Sequence, residues 1–211
     1  MADWATISAL ATAGGTLVLA GATFASVRSA NRAARAAEVS LLAGLRPLLV
    51  PSRLDDPDQK VPFIDDRRLL VHGGSGAVDV TDDAVYAALS VRNVGTGLAV
   101  LHGWHLYPGM PPEISEHLPP EEFTRLTRDI YVAAGDVGIW QGAFRDASAP
   151  GFVEVRRAVE AGERLTVDVL YGDFEGGQRV ITRFGLLPRE DRGAYLAAAG
   201  RHWNLDRADP R

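Results

Sequence analysis

The histidines and carboxylates are the residues in this chain that most invite chemistry, and each set lacks the spacing of a reaction motif. His102 and His105 stand three positions apart in the run His-Gly-Trp-His. On a helix that spacing chelates zinc. On a strand side chains alternate, so positions three apart point to opposite faces and the pair reads as structural. His72, His117 and His202 have no partner in sequence. Asp55-Asp56-Asp58, Asp65-Asp66 and Asp79-Asp82-Asp83 offer oxygen ligands of the calcium type, without the ordered spacing and glycine of an EF-hand loop, and read as solvated loops. His72-Gly73-Gly74-Ser75-Gly76 has the glycine content of an oxyanion hole, but no G-x-S-x-G elbow supplies a nucleophile. There is neither a P-loop nor a dinucleotide fingerprint, and the chain contains no cysteine. The expectation is therefore a protein that is not an enzyme and carries no metal or cofactor.

Two glycine-rich segments are better suited to binding. One is Asn93-Val94-Gly95-Thr96-Gly97; the other is Tyr171-Gly172-Asp173-Phe174-Glu175-Gly176-Gly177. In the second, Asp173 caps a turn and the glycines supply positive φ. As loops at one end of a β-domain, Asn93, Gly95, Gly97, Asp173, Glu175, Gly176 and Gly177 are the candidate partner-binding residues. Trp104, Trp140 and Trp203 read as core. Trp140 and Phe144 also share a strand face opposite Val137 and Ile139 and are a candidate exposed aromatic patch.

These loops need a scaffold, and the scaffold needs an address. From Trp4 to Val27 the chain carries no charge, and Arg28, Arg32 and Arg35 follow at once. As a helix the run reaches about 36 Å, against a hydrocarbon core of about 30 Å. Ala, Gly, Thr and Ser dominate it. A cleaved signal peptide would want a basic leading region, yet the chain opens Met1-Ala2-Asp3 with no Lys or Arg before Arg28. The arginines predict that the N-terminus lies outside and the long C-terminal part in the cytoplasm, with Arg28, Arg32 and Arg35 at lipid headgroups. Ala9, Ala13, Gly14, Gly21 and Ala25 recur at helical spacing and would let two helices approach closely.

The formal net charge is −5, although residues 28–53 are basic; the remainder is acidic and argues against nucleic acid as a partner. Lys60 is the lone lysine, and with the abundant alanine this suggests a GC-rich bacterial genome.

The helical pattern continues through residues 28–44, predicting one helix from about residue 4 to 44, ended by Gly44 and Pro47. Strands are predicted from Leu48, over Arg67–His72, and over Val85–Arg92, where Val85, Ala87, Leu89 and Val91 alternate with less apolar residues as in a sheet with one wet face. Asn93–Gly97 turns the chain and Leu98–Tyr107 returns it. Residues 108–128 read as a long loop with a short helix. Ile130–Ala133 and Val137–Phe144 read as a hairpin, Phe152–Arg157 as a strand, and Leu165–Tyr171 with Gln178–Leu187 as a second hairpin. Pro188-Arg189-Glu190-Asp191 is read as opening a final helix that stacks Tyr195, Ala199 and Trp203.

The fold class expected is thus an N-terminal transmembrane helix continuing into a helical stalk, then a mainly antiparallel, Ig-like β-sandwich of about seven to nine strands with a C-terminal helix. Its parts would be residues 1–27 (anchor), 28–46 (basic stalk), 47–188 (sandwich) and 189–211 (helix and tail). The N-terminal span, Arg46-Pro47 before the first strand, Asn93-Val94-Gly95-Thr96-Gly97, and Tyr171-x-Asp173-x-x-Gly176 with Thr182 resemble a group of uncharacterised bacterial single-span membrane proteins with a C-terminal β-sandwich. The resemblance implies the architecture and no catalytic residues. The function expected is recruitment: a membrane-anchored module presents its sandwich to a protein partner or to its own copies. The alternative is a small-molecule sensor or transport accessory signalling through the stalk, and a hydrolase-type enzyme comes third.

Overall fold

The computed structural model describes residues 3–111, 113, 115–190 and 193–208, without the side chains of residues 5, 6, 42 and 43. The chain forms two compact units, Met1–Gly44 and Leu45–Arg211.

The first unit is one α-helix, α1 (Trp4–Gly44), of 41 residues, unbroken where the charge-free run meets the arginines. Its described side chains are exposed throughout, and it is the one described helix long and apolar enough to cross a membrane. The Thr12 hydroxyl donates to the Ser8 carbonyl and the Thr16 hydroxyl to the Thr12 carbonyl, each at 2.9 Å. Satisfied in this way, threonines cost less in hydrocarbon than their polarity suggests.

The described residues of the second unit form eleven strands: β1 (Leu49–Pro51), β2 (Gln59–Pro62), β3 (Arg68–Val71), β4 (Ser75–Val80), β5 (Val85–Asn93), β6 (Ala99–Pro108), β7 (Thr124–Val132), β8 (Val137–Phe144), β9 (Leu165–Gly172), β10 (Arg179–Pro188) and β11 (Ala194–Asn204). A second helix, α2 (Pro150–Glu160), lies between β8 and β9. Nine strands make one antiparallel sheet in the order β1-β5-β4-β11-β10-β9-β6-β7, with β8 on the other edge of β5; β2 and β3 form a separate hairpin. The sheet curls into a half-barrel whose end strands, β7 and β8, lie side by side with no ladder between them.

The expected long helix followed by a mainly antiparallel domain is therefore present, with several local corrections. Residues 194–204 form β11, a strand paired with both β10 and β4, where a C-terminal helix was expected over 189–211. Pairing on both edges outweighs the helix propensity of its alanines. Asp191, expected in the first turn of that helix, lies outside the described residues. Phe152–Arg157 belongs to α2 rather than a strand. Pro150 opens this helix, and Gly162 (φ +66°) closes it: the Gly162 N–H bonds the Val159 carbonyl, and the Glu163 N–H bonds the Ala158 carbonyl. Ile130–Ala133 and Val137–Phe144 do not pair with each other, since β7 pairs with β6 and β8 with β5. Nor does Asn93–Gly97 close a hairpin; it carries the chain from β5 to β6, which sit in different parts of the sheet.

The inner face holds the main core, with Leu89, Trp104, Trp140, Val167, Tyr171, Phe184 and Tyr195. Phe152, Val155, Ala158 and Val159 of α2 join it, which places the amphipathic face of that helix against the concave side. β5 has no wet face, contrary to its alternating pattern: Tyr86 and Ala88 on its outer side pack under Val61, Phe63, Leu69 and Val71 of the β2–β3 hairpin. Elsewhere the outer side is covered by Phe123 and Leu118 over Leu170, Ile181 and Trp203.

Candidate functional site

The first binding segment is a structural junction. The Asn93 side chain is fully buried: its oxygen accepts the N–H groups of Leu48 (3.1 Å) and Gly95 (3.0 Å), and its amide donates to the carbonyls of Gly97 (2.7 Å) and Val132 (3.0 Å). All four valences of the amide are used. A Cβ at Gly95 would lie 2.3 Å from the Arg46 carbonyl oxygen, and one at Gly97 would lie 1.7 Å from that of Leu45. These glycines therefore admit the backbone around Arg46-Pro47 rather than present a binding loop. Arg46 itself reaches Asn204 (2.9 Å) and Asp206 (2.5 Å). Nearby the buried Tyr171 hydroxyl accepts the Leu49 N–H (3.0 Å) and meets the Thr182 hydroxyl (2.8 Å), which in turn meets His202 Nδ1 (2.7 Å). Burial pushes the Tyr171 phenol up to about 12. Of the residues that carried the resemblance, Arg46-Pro47, Asn93, Gly95, Gly97, Tyr171 and Thr182 meet around this junction.

The second segment is the β9–β10 turn. Asp173 Oδ1 accepts the Gln178 N–H (3.0 Å), and Gly176 takes φ +76°, as turn chemistry requires. Asp173 is buried in that role, while Phe174, Glu175, Gly176 and Gly177 are exposed, Phe174 at 69%. Gly176 borders a groove of about 570 Å³ on the outer face of β6, β7 and β9, lined also by His102, Glu121, Arg125, Arg128, Asp129 and Arg179. A local break in register makes the groove. Leu101 pairs with Ile130 and Gly103 with Arg125, so four β7 residues bulge opposite His102. Gly172 leaves room for the imidazole, since a Cβ there would lie 3.1 Å from His102 Nε2. Burial, then the Arg179 charge, holds the His102 pKa below its ordinary value, so the ring favours the neutral form. Arg128 Nη2 donates to Gln141 Oε1 (2.5 Å) across the β7–β8 seam. The groove can receive a hydrogen-bonding, partly anionic partner, and the turn that lends it Gly176 also carries the exposed Phe174.

The β6 register break also revises the histidine argument. Leu101 and Trp104, three apart, both lie in the inner core, so His102 and His105 both lie outside it. His105 stacks on Tyr107 with ring centroids 4.4 Å apart. Trp140 is not an exposed patch: it is fully buried, 5.7 Å from Trp104, and Phe144 lies 5.1 Å from the same ring. The acidic loops are held by local partners: Asp56 pairs with Arg92 and Asp79 with Arg67 (2.5 Å), Asp58 meets His72 Nδ1 (2.7 Å), and Asp65 accepts from Tyr86 (2.5 Å).

A cluster that sequence reasoning missed lies on the outer face of β9–β11. The Arg183 guanidinium grips the Asp168 carboxylate with two hydrogen bonds of 2.7 Å, Tyr107 adds a third at 3.2 Å, and Arg183 Nη2 donates to the Glu116 carbonyl (3.0 Å). Beside it opens a cavity of about 340 Å³ between Arg164, Arg183, Arg201, Met110 and the small residues Gly185, Ala198 and Gly200. No sequence motif marks it, because its arginines come from three separate segments.

On α1, helical geometry sets Gly14, Gly21 and Ala25 within about 40° of one another, with Ala9 and Ala13 on a separate stripe. Arg28, Arg32 and Arg35 fall within about 60°, on the side of Gly21. Compared with family models, curated proteins and solved structures, the chain matches none.

Proposed function

We propose that this chain is a membrane-anchored, non-enzymatic binding module that recruits a protein partner. The observation that carries the reading is the joining of one exposed, apolar 41-residue helix to a separately packed β-domain with a polar groove on its outside. Tethering to a surface raises effective concentration without any new contact, which suits a chain whose sequence lacks a reaction motif. In this reading α1 spans a bacterial cell membrane once with its N-terminus outside. Arg28, Arg32 and Arg35 meet cytoplasmic headgroups, and the domain works in the cytoplasm. The partner is a protein segment carrying carboxylates, received by Arg125, Arg179 and His102 and flanked by Phe174; nucleic acid is disfavoured by the acidic remainder of the chain.

A photo-crosslinker at position 174 tests the reading in intact membranes. One discrete adduct, lost when Arg125 and Arg179 are both changed to Glu, is the expected result. A chain that stays uncrosslinked and monomeric, with the fold intact, would sink it.

A second reading, a small-molecule sensor or transport accessory, is favoured by a specific observation: the cavity beside Arg183 sets a few arginines among mainly apolar walls, the make-up of a small-ligand site.

A further inference from the structure

We propose that the cavity on the outer face of β9–β11 binds a small organic carboxylate, gripped by Arg164 over the glycine floor at Gly185. The inference deepens the sensor reading and rests on it. The charges are one-sided: among the described residues Arg164, Arg183 and Arg201 line the cavity and no carboxylate does. Asp168, the partner of Arg183, spends both oxygens on it. Arg164 is left over. Its Nε is sealed from solvent without a hydrogen-bond partner, and among the described residues it makes no ion pair. Arg164 itself is half-buried where it lines the cavity, and a ligand carboxylate presents two oxygens at the spacing of its paired Nη donors.

The floor is shaped for this. A Cβ at Gly185 would lie 3.3 Å from Arg164 Nη2, so the glycine leaves room for the guanidinium over β10. The Thr166 hydroxyl donates to the Gly109 carbonyl (2.7 Å) and is committed to the wall. Met110, Pro111, Ala198 and Ala199 supply apolar surface for the body of the ligand. A planar head with a short aliphatic body matches one free fork beside apolar walls. Phosphate, which needs donors on three sides, matches less well.

The test uses the full-length protein in zwitterionic lipid nanodiscs. Butyrate, glutarate, inorganic phosphate and chloride are titrated at matched ionic strength, with unfolding temperature and calorimetric binding as readouts. A saturable shift with at least one of the two carboxylates is expected. Arg164→Gln should weaken it about tenfold. Ala198→Leu, at an exposed strand position, should block the cavity while leaving every charge in place. The proposal is overturned if neither carboxylate gives a shift, if chloride matches them, if phosphate alone binds, or if Arg164→Gln leaves the carboxylate response unchanged. Crosslinking from position 174 is read separately, so the partner reading and this one can fail independently.

Discussion

Arg183 and Asp168 face each other across β10 and β9 as a two-pronged ion pair, with side chains only 6% and 0% exposed. Taking both charges out of water is expensive, and the pair repays it through ideal geometry and the bonds that Arg183 makes to the 113–116 backbone. Arg183→Met should therefore cost about 3–5 kcal/mol, because Asp168 is left buried and uncompensated. The double variant Asp168→Leu/Arg183→Met should be more stable than Arg183→Met alone. Urea unfolding followed by tryptophan fluorescence checks this; additive losses would mean that the two side chains do not act as a pair.

Glycine positions should separate into two classes. Gly97→Ala drives a methyl onto the Leu45 carbonyl at 1.7 Å, and backbone cannot yield cheaply, so the domain should fail to fold or lose several kcal/mol. Gly176→Ala meets nothing within 4 Å and pays only for its φ of +76°, about 1 kcal/mol. Asn93→Ala should resemble the first class, since four backbone groups lose their partner, two in buried and two in part-buried bonds. Equal thermal stability of the Gly97 and Gly176 variants would contradict the junction described here.

How far the sequence was legible follows from such positions. The continuous helix was readable because no proline interrupts residues 4–44, and Gly14, Gly15 and Gly21 stand among alanines and leucines, before Gly44 and Pro47 end it. Strands β5, β9 and β10 were readable from their alternating residues. α2 was also within reach: Pro150 at its start, Gly162 just past its end, and Phe152, Val155 and Val159 at helical spacing are local signals that a short alternating reading overrode. β11 was not within reach, because an alanine-rich segment becomes a strand only through β10 and β4 on its two sides. The site was the least legible part. Asn93, Gly95 and Gly97 stood out because the Arg46-Pro47 backbone crowds them, whereas Arg164, Arg183 and Arg201 come together only through sheet register.

The alkaline limb of stability should be steep. The phenols of Tyr86, Tyr107, Tyr171 and Tyr195 are all held above their ordinary value, the last three chiefly by burial and Tyr86 chiefly by its bond to Asp65. For Tyr171 the folded value is about 12 against 10.0 for the free phenol. Below that free value its contribution to stability is fully present. Between the two values the unfolded state gives up the proton that the folded state keeps, so stability falls as pH rises through the window. Tyrosinate absorbance should lag behind that of free tyrosine and then rise together with loss of the tryptophan signal. A smooth, unshifted titration in a chain that stays folded would contradict the burial of these groups.

Edge protection predicts a solution property. β7 ends the sheet, and Thr124, Arg125, Thr127, Arg128 and Asp129 are exposed along it. This edge faces β8 without a ladder, so its backbone groups are left open to pairing, and charges along it discourage a second edge. Replacing Arg125 and Arg128 with Val should leave secondary structure in place and produce concentration-dependent association, visible by light scattering on the detergent-solubilised chain. A variant that remains monomeric at all concentrations would assign those arginines to the groove alone.

The proposed topology can be tested without background, because the chain has no cysteine of its own. Asp55 lies in the exposed loop between β1 and β2 and makes no ion pair among the described residues, so Asp55→Cys should not disturb the domain. If the basic stripe at Arg28, Arg32 and Arg35 holds the C-terminal side of α1 inside, this thiol resists a membrane-impermeant maleimide in intact cells and reacts once the cells are opened. Ready labelling of intact cells would place the domain outside. Changing the three arginines to Glu in the same background should raise labelling of intact cells, since the charge bias that orients the helix is gone. Unchanged protection would mean that something other than these arginines sets the orientation.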